Sequence, residues 1–497
     1  LGVIPAMQAQ TFDKLWKEVE QAEKKSLPKT VIKLTDEIYQ KGEKERNSAQ
    51  MLKAYMWRMK TQDILTPDSF YVGLRDLEQW AKQTEQPMDR AILHSLIAEF
   101  YANYAADNQW QLRQRTEIVG ETPSADIREW TANMFVEKVR TNVKEALADS
   151  LLLLKTSSLN YIPFVELGET SEYYHHDMYH LLASRAIRAL NQIERLERGS
   201  FNGITASPVK QDIINIYERM TDAYETAGLK EGYVLTMLQY LEWKRGNDNK
   251  LQPVQLKKGL GEWTADTYNA ASDELKRQFK SEPICAEVYL AQVRYAVEKM
   301  QQVNALQLCD EAIRLYPGYR RINALKNLRE EILAPFLNVS AVSQAFPNEE
   351  IKLNVGHKNL DGFTVRLYQA KKLVKEQHYS VLRPKDYRAK DTVFTFKAPD
   401  LGTYVMRIIP DIRAKRDSES KFNVTRFKVL TCRLPENQYE VVTLDGQTGH
   451  PIPNAKVTLY SSDEKVLQEF TTDKEGKVVF LRNTKYRYLK ASKGTDT

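Results

Sequence analysis

At 497 residues the chain is too long for one hydrophobic core and should divide into about three or four domains. Its 42% apolar and 28% charged residues exclude bulk disorder, and no stretch reaches the ~20 consecutive apolar residues that span a bilayer as a helix. The formal charge of +6 is weak, and the basic groups Lys371, Lys372, Lys375 and Arg413, Lys415, Arg416 are too sparse, with no stacking motif beside them, to argue for nucleic acid.

Residues 1–10 read as the remnant of a signal peptide: an apolar run, Pro5, then small residues ending at Ala9, with Gln10 opening the mature protein. From Thr11 to about Ala334 the period is helical. Leu15, Val19 and Ala22 form one apolar stripe, Pro28 restarts the chain at a first helical turn, and Val31, Leu34 and Ile38 carry the next stripe to Gly42. Short helices continue past Thr66-Pro67-Asp68 and Gln86-Pro87-Met88, through Pro208 to Ala227, and onward from Ser281-Glu282-Pro283.

Ile32 to Ile38 can be laid beside Leu306 to Ala312, and the second copy runs on to Tyr316 and Pro317 like the closing helix of a tetratricopeptide-like (TPR-like) repeat. Such hairpins bury one face each and must stack on neighbours to complete a core. Gly199 to Gly203 marks an internal break, which divides a helical domain over 11–200 from TPR-like hairpins over 204–335.

The period changes to two at Pro335. Leu337, Val339 and Ala341 alternate, as do Ile351, Leu353 and Val355, then Phe363, Val365 and Leu367; Phe394, Phe396, Tyr404, Met406, Ile408, Phe422 and Val424 continue the series. A β-sandwich over 337–433 follows from that spacing. A second β-sandwich, over 436–497, is built from Val441-Val442, Val457 to Tyr460 and Val478 to Phe480, with turns at Asp445 to Pro451 and Asp473 to Gly476, and the sequence stops before such a sandwich would be complete. The fold class expected is multidomain, α then β: an irregular helical-hairpin array followed by immunoglobulin-like sandwiches.

Three cysteines, Cys285, Cys309 and Cys432, cannot build a disulfide framework, and Cys309 falls in a helical apolar stripe as a small buried hydrophobe. The best metal candidate is Tyr174 to His180. His176 and His180 stand at i and i+4, and His-Asp-x-x-His resembles the zinc-peptidase His-Glu-x-x-His. Asp177 is one methylene shorter than the Glu that must reach a metal-bound water, and the third ligand is unclear, with Glu194 or Glu197 at a suitable interval. His176, His180, Ala183, Ile187 and Leu190 also read as an ordinary packing stripe. Gly-x-Ser-x-Gly and phosphate-cradling loops are absent, and the carboxylates sit on helical polar faces. The acidic turns at Asp445 and Asp473 fit a plain turn preference better than calcium ligation. No catalytic, cofactor-binding or metal-binding residue is assigned, and no cofactor is expected.

The β-half resembles bacterial alpha-2-macroglobulin-family proteins. The resemblance is carried by Lys397-Ala398-Pro399-Asp400-Leu401-Gly402-Thr403-Tyr404-Val405, by Phe422 to Thr425, and above all by Asp445-Gly446-Gln447-Thr448-Gly449-His450-Pro451-Ile452-Pro453-Asn454-Ala455-Lys456-Val457, with Thr472-Asp473 and Gly476 downstream. The helical half resembles, at Leu15-Trp16, Leu27-Pro28 and His180 to Leu190, the region preceding the macroglobulin domains in large Bacteroidetes-type forms. The resemblance implies macroglobulin-type sandwiches and a non-catalytic N-terminal scaffold of an exported peptidase trap, in the periplasm, outside the cell or in the envelope of a Gram-negative bacterium, with peptidases as partners. Cys285, Cys309 and Cys432 are followed by Ala-Glu, Asp-Glu and Arg-Leu, so the family's Cys-Gly-Glu-Gln thioester has no counterpart here, and no bait segment can be assigned. The alternative is a helical-repeat adaptor that binds another envelope protein or peptide, and a zinc metallopeptidase using His176 and His180 comes third.

Overall fold

Apolar stripes and Pro or Asx starts give the first part of the chain its helices. The computed structural model describes residues 4–66, 69–116, 123–197, 207–247, 267–412, 418–481 and 485–497. The helices are α1 (Ile4–Lys24), α2 (Pro28–Lys44), α3 (Ser48–Leu65), α4 (Ser69–Gln83), α5 (Pro87–Asp107), α6 (Gln109–Gln114), α7 (Ala132–Ala146) and α8 (Ser150–Lys155). They continue with α9 (Met178–Ile193), α10 (Pro208–Thr226), α11 (Lys230–Gly246), α12 (Thr267–Gln278), α13 (Cys285–Glu298), α14 (Gln302–Leu315) and α15 (Ile322–Leu333). The chain falls into two units, residues 1–291 and 292–497.

In the first unit consecutive helices pack side by side from α1 to α5. The α1–α2 stripe closes on Phe12, Trp16, Val19, Val31 and Ile38, all buried. The array then turns irregular. Helix α5 buries residues around its whole circumference, from Ile92 and Leu93 to Leu96, Ile97 and Tyr101, because α4, α7 and α9 all pack on it. A helix apolar on every side is a central one. The helical region starts at Ile4, seven residues before the expected Thr11. Residues 1–3 of the expected leader lie outside the described residues, as do Pro67-Asp68, the expected break at Gly199 to Gly203, and Arg413, Lys415 and Arg416.

In the second unit α14 and α15 pack as a hairpin. The alignment of Ile32–Ile38 with Leu306–Ala312 brings buried positions together: Thr35 with Cys309 and Ile38 with Ala312, and Val31 with Ala305 just ahead of them, are all buried. Burial also raises the Cys309 thiol to about 11, with the Asp310 charge adding to it, so it is the inert small hydrophobe expected. Where α15 ends, Asn359 donates its side-chain amide to the carbonyls of Ile332 (2.9 Å) and Ala334 (3.3 Å), and the Lys358 ammonium bonds the Glu331 carbonyl at 2.9 Å. These satisfy carbonyls that a helix C-terminus leaves open and fasten the change from helix to strand.

The strands are β1 (Phe336–Ser340), β2 (Gln344–Ala345), β3 (Glu350–Lys358), β4 (Gly362–Gln369), β5 (Lys372–Ser380), β6 (Lys390–Lys397), β7 (Gly402–Pro410), β8 (Ser418–Val424), β9 (Phe427–Leu434), β10 (Gln438–Asp445), β11 (Lys456–Tyr460), β12 (Val466–Thr471), β13 (Lys477–Leu481) and β14 (Tyr488–Ser492). Sheets β1-β3-β6 and β2-β8-β7-β4-β5 make the first sandwich. The expected alternations meet in one core: Ile351, Leu353, Val355, Phe363, Val365, Leu367, Phe396, Tyr404, Met406, Ile408 and Phe422. Strand β5 is an edge strand; of its lysines that stood out as basic, Lys372 is exposed, as suits an edge that must not pair further, while Lys375 lies 4.5 Å from the centroid of the buried Phe396 ring.

The division at 433/436 is corrected by strand pairing. β9 pairs with β10 along its full length, from Phe427↔Asp445 to Leu434↔Gln438. Phe427 lies in the second core with Val441, Val457, Leu459 and Phe480. The second sandwich therefore begins at Phe427, with sheets β13-β10-β9 and β12-β11-β14. Pro435 marks no boundary. It opens a three-residue hairpin loop, Pro435 to Asn437, in which Glu436 and Asn437 both take positive φ (59° and 62°).

Candidate functional site

The histidine segment does not form a single helix face. Asp177 caps α9 by accepting the His180 N–H at 2.7 Å, so the helix starts after His176. His175 and His176 take left-handed φ of 52° and 55° and bend the chain into that cap. The His176 carbonyl accepts the Ser158 N–H (2.6 Å) and hydroxyl (2.8 Å), which fixes the preceding loop. The i, i+4 relation expected for His176 and His180 is therefore lost, and the stripe expected from His176 to Leu190 begins only at Met178. His180 stacks on Tyr174 with ring centroids 3.6 Å apart, and burial pushes its imidazole down to about 4. Asp177 is buried, accepts the Tyr224 hydroxyl at 3.1 Å, and is raised by burial to about 6. Among the described residues no three His, Cys, Asp or Glu side chains are grouped to hold a metal, Glu194 and Glu197 included. Glu194 pairs with Lys210 at 3.0 Å, and Glu197 accepts the Val209 N–H at 2.9 Å.

Beside this segment lies a cavity of about 540 Å³. Its apolar wall comes from α5 (Ile92, Leu96) and α9 (Met178, Leu182), and Pro163 to Val165 close one side. Helix α3 contributes Lys53, Met56 and Trp57. Lys53 sits 4.3 Å from the Trp16 ring centroid and 5.8 Å from that of Trp57, and burial lowers its ammonium from the ordinary value. Glu99 and Arg185, both lining residues, form an ion pair. The wall segment is held from behind. Tyr161 accepts the Phe164 and Val165 N–H groups on its carbonyl and donates its hydroxyl to buried Asp89 at 2.8 Å, and Asp89 also takes the Ser48 hydroxyl at 2.5 Å. Asp89→Ala leaves both hydroxyls without their acceptor and costs about 1.5 kcal/mol of stability, while Asp89→Asn costs less; urea unfolding of the two variants checks the order.

In the second sandwich, Asp445 to Val457 forms a closed turn. The Asp445 carboxylate accepts the N–H groups of Thr448 (2.9 Å) and Gln447 (3.0 Å), which hold it below the usual carboxylate value. Thr443 and Thr472 both donate their hydroxyls to the Ile452 carbonyl, and Ala455 is buried. Asp473 accepts the N–H groups of Glu475 (2.9 Å) and Lys477 (2.8 Å), and Gly476 takes φ +72° with its Cβ position 2.5 Å from the Thr443 carbonyl oxygen. Both acidic turns thus turn their carboxylates onto their own backbone.

The same turn reaches the first sandwich. A Cβ on Gly446 would lie 2.1 Å from Cζ of Phe346, so the ring packs on the bare Cα. The two-residue link Thr425-Arg426 is fixed by Asp496, which accepts the Thr425 hydroxyl at 2.5 Å and the Arg426 N–H at 3.1 Å, and Gly446 donates its N–H to the Arg426 carbonyl at 2.8 Å. Sequence reasoning found the turn but not this joint, and it missed the cavity altogether.

The sequence matches no protein-family model and no curated protein. Among solved structures it is similar to native alpha-2-macroglobulin from Escherichia coli spanning domains MG0-NIE-MG1, with 16% identity, 33% of this chain and 62% of that chain covered, and a TM-score of 0.28. It is also similar to a structure of that protein spanning domains NIE-MG1, with 15% identity, 33% of this chain and 95% of that one covered, and a TM-score of 0.26. The chain thus spans 62% of the first structure, and TM-scores of 0.28 and 0.26 give the likeness no weight of its own. Among the described residues no helix is long and apolar enough to cross a membrane.

Proposed function

We propose that the chain is the non-catalytic N-terminal scaffold and binding segment of an exported alpha-2-macroglobulin-like peptidase trap, working in the periplasm, cell envelope or medium of a Gram-negative bacterium. One observation carries most of the weight. The residues of the family resemblance, Asp445 to Val457 with Thr472 to Gly476, close the second sandwich and bring Gly446 against Phe346 of the first. A tandem of sandwiches locked through a two-residue link transmits force, and a trap that rearranges around an attacker needs that property. Peptidases are its partners through the full-length protein.

The test uses the full-length protein with broad-specificity peptidases. The expected result is that it retains them and shields them from large protein substrates while small chromogenic ones are still cleaved. Failure both to retain and to shield would sink the reading. The second reading, a helical adaptor for another envelope protein or peptide, is favoured by the cavity between α3, α5 and α9. It predicts capture of a non-peptidase partner that is lost when the cavity is filled by Leu96→Trp.

A further inference from the structure

The cavity between α3, α5 and α9 is lined by two cations, Lys53 and Arg185, and by two carboxylates, Glu99 and Glu166. Arg185 and Glu99 form an ion pair with each other. Lys53 and Glu166 do not. Among the described residues the Glu166 carboxylate takes part in no ion pair or hydrogen bond, and the Lys53 ammonium meets only the rings of Trp16 and Trp57, 4.3 and 5.8 Å from their centroids. Glu166 acts on Lys53 through its charge, from beyond ion-pair distance. One apolar space therefore has a free donor and a free acceptor on its lining. A ligand that uses both must accept a hydrogen bond from Lys53 and donate one to Glu166.

Charge decides which groups those are. Glu20 and Asp13 act on Lys53 as well, so three carboxylates face one ammonium at this end of the cavity. That field repels a ligand carboxylate, whereas a neutral carbonyl can still accept from Lys53 and an ammonium can pair with Glu166. An ammonium and a carbonyl joined through one carbon are the opening of a peptide chain. The substituent on that carbon meets an aliphatic wall of Ile92, Leu96, Met178 and Leu182. At about 540 Å³ the space takes a bulky apolar side chain.

We propose that this cavity binds the α-ammonium and adjacent carbonyl of a bulky apolar amino-acid residue, Glu166 pairing with the ammonium and Lys53 donating to the carbonyl. That chemistry belongs to the free N-terminus of a peptide chain or to a small amino-acid amide. The proposal rests on the adaptor reading, to which it gives a ligand, and is independent of the peptidase-trap reading.

The test is titration of the full chain by calorimetry and saturation-transfer NMR with three probes: Phe-Ala-Ala amide, its N-acetylated form, and phenylalanine amide. The two free amines bind saturably, and acetylation weakens the tripeptide roughly tenfold. Tighter binding of the tripeptide than of phenylalanine amide assigns the site to chain ends, and the reverse assigns it to small amines. Glu166→Gln keeps the shape but removes the charge. It weakens both free amines roughly fivefold, with the acetylated probe and the melting curve unchanged. Leu96→Trp fills the space and abolishes binding. No saturable binding of either free amine, equal affinity for the free and acetylated tripeptides, or equal affinity in parent and Glu166→Gln overturns the proposal. A partner captured by the full chain and lost with Leu96→Trp, yet held equally well when its N-terminus is acetylated, keeps the adaptor reading and overturns this one.

Discussion

Gly446→Ala destabilises the second sandwich by about 2–3 kcal/mol, and the loss disappears when Phe346 is also truncated to Ala. Gly446 does not have the positive φ that resists a side chain, so its backbone accepts a Cβ without strain. The methyl meets Cζ and Cε1 of Phe346 at 2.1 and 2.2 Å, well inside contact distance, and the ring must leave. Phe346 then returns its buried face to water. In a Phe346→Ala background that burial is already lost, so the second substitution adds little. A double-mutant cycle measured by urea unfolding of the full chain gives the coupling directly. Simple additivity of the two losses would show that the joint is not made by this contact. Because Gly446 belongs to the stretch that carries the family resemblance, the outcome also bears on the trap reading. A trap whose sandwiches are uncoupled should retain peptidases less well at unchanged fold.

Much of this fold is written in the period of its apolar residues. The change at Pro335, the alternation from Ile351 to Val355, and the burial match of Thr35 with Cys309 follow from spacing alone, since each depends only on which face of a local element turns inward. The central place of α5 could also have been read, since Ile92, Leu93, Leu96 and Ile97 take one side of the helix and Ala98, Ala102 and Ala105 the opposite one. Other features depend on partners distant in the chain. Strand β9 has an outward face of Lys428, Leu430 and Cys432 that gives little alternation, and only its pairing with β10 assigns it. His176 and His180 satisfy an i, i+4 rule on paper, but Asp177 between them is a better cap than a helix-interior residue, and the cap moved the helix start past His176. The cavity left no trace in the sequence because Trp57, Ser95 and Arg185 come from three helices and share no spacing.

Asp177 and His180, both buried at the start of α9, give the fold opposing pH dependences that show only when the two are separated. Burial raises Asp177 from 3.8 to about 6, so between pH 4 and 6 the folded chain keeps a proton that the unfolded chain releases. Ionised Asp177 therefore penalises the fold at neutral pH, and the penalty fades as pH falls through 6 toward 4. Burial lowers His180 from 6.5 to about 4, so over nearly the same window the unfolded chain takes up a proton that the folded chain refuses. That penalty is absent above pH 6.5 and grows as pH falls. The two slopes oppose each other, each worth about 3 kcal/mol over the window, and in the parent chain they offset. Asp177→Asn keeps the cap and the acceptor for the Tyr224 hydroxyl but removes the acid, leaving His180 alone. Relative to the parent it loses about 3 kcal/mol between pH 6.5 and 4. His180→Phe keeps the stack on Tyr174 and leaves Asp177 alone, and it gains a similar amount over the same interval. Comparing each variant with the parent at both pH values cancels the other titrating groups of the chain. Urea unfolding followed by near-ultraviolet circular dichroism reads the difference, because the cluster is rich in tyrosine. Parallel pH profiles for parent and both variants would mean that neither group is as buried in solution as its packing against Tyr174 and Tyr224 requires.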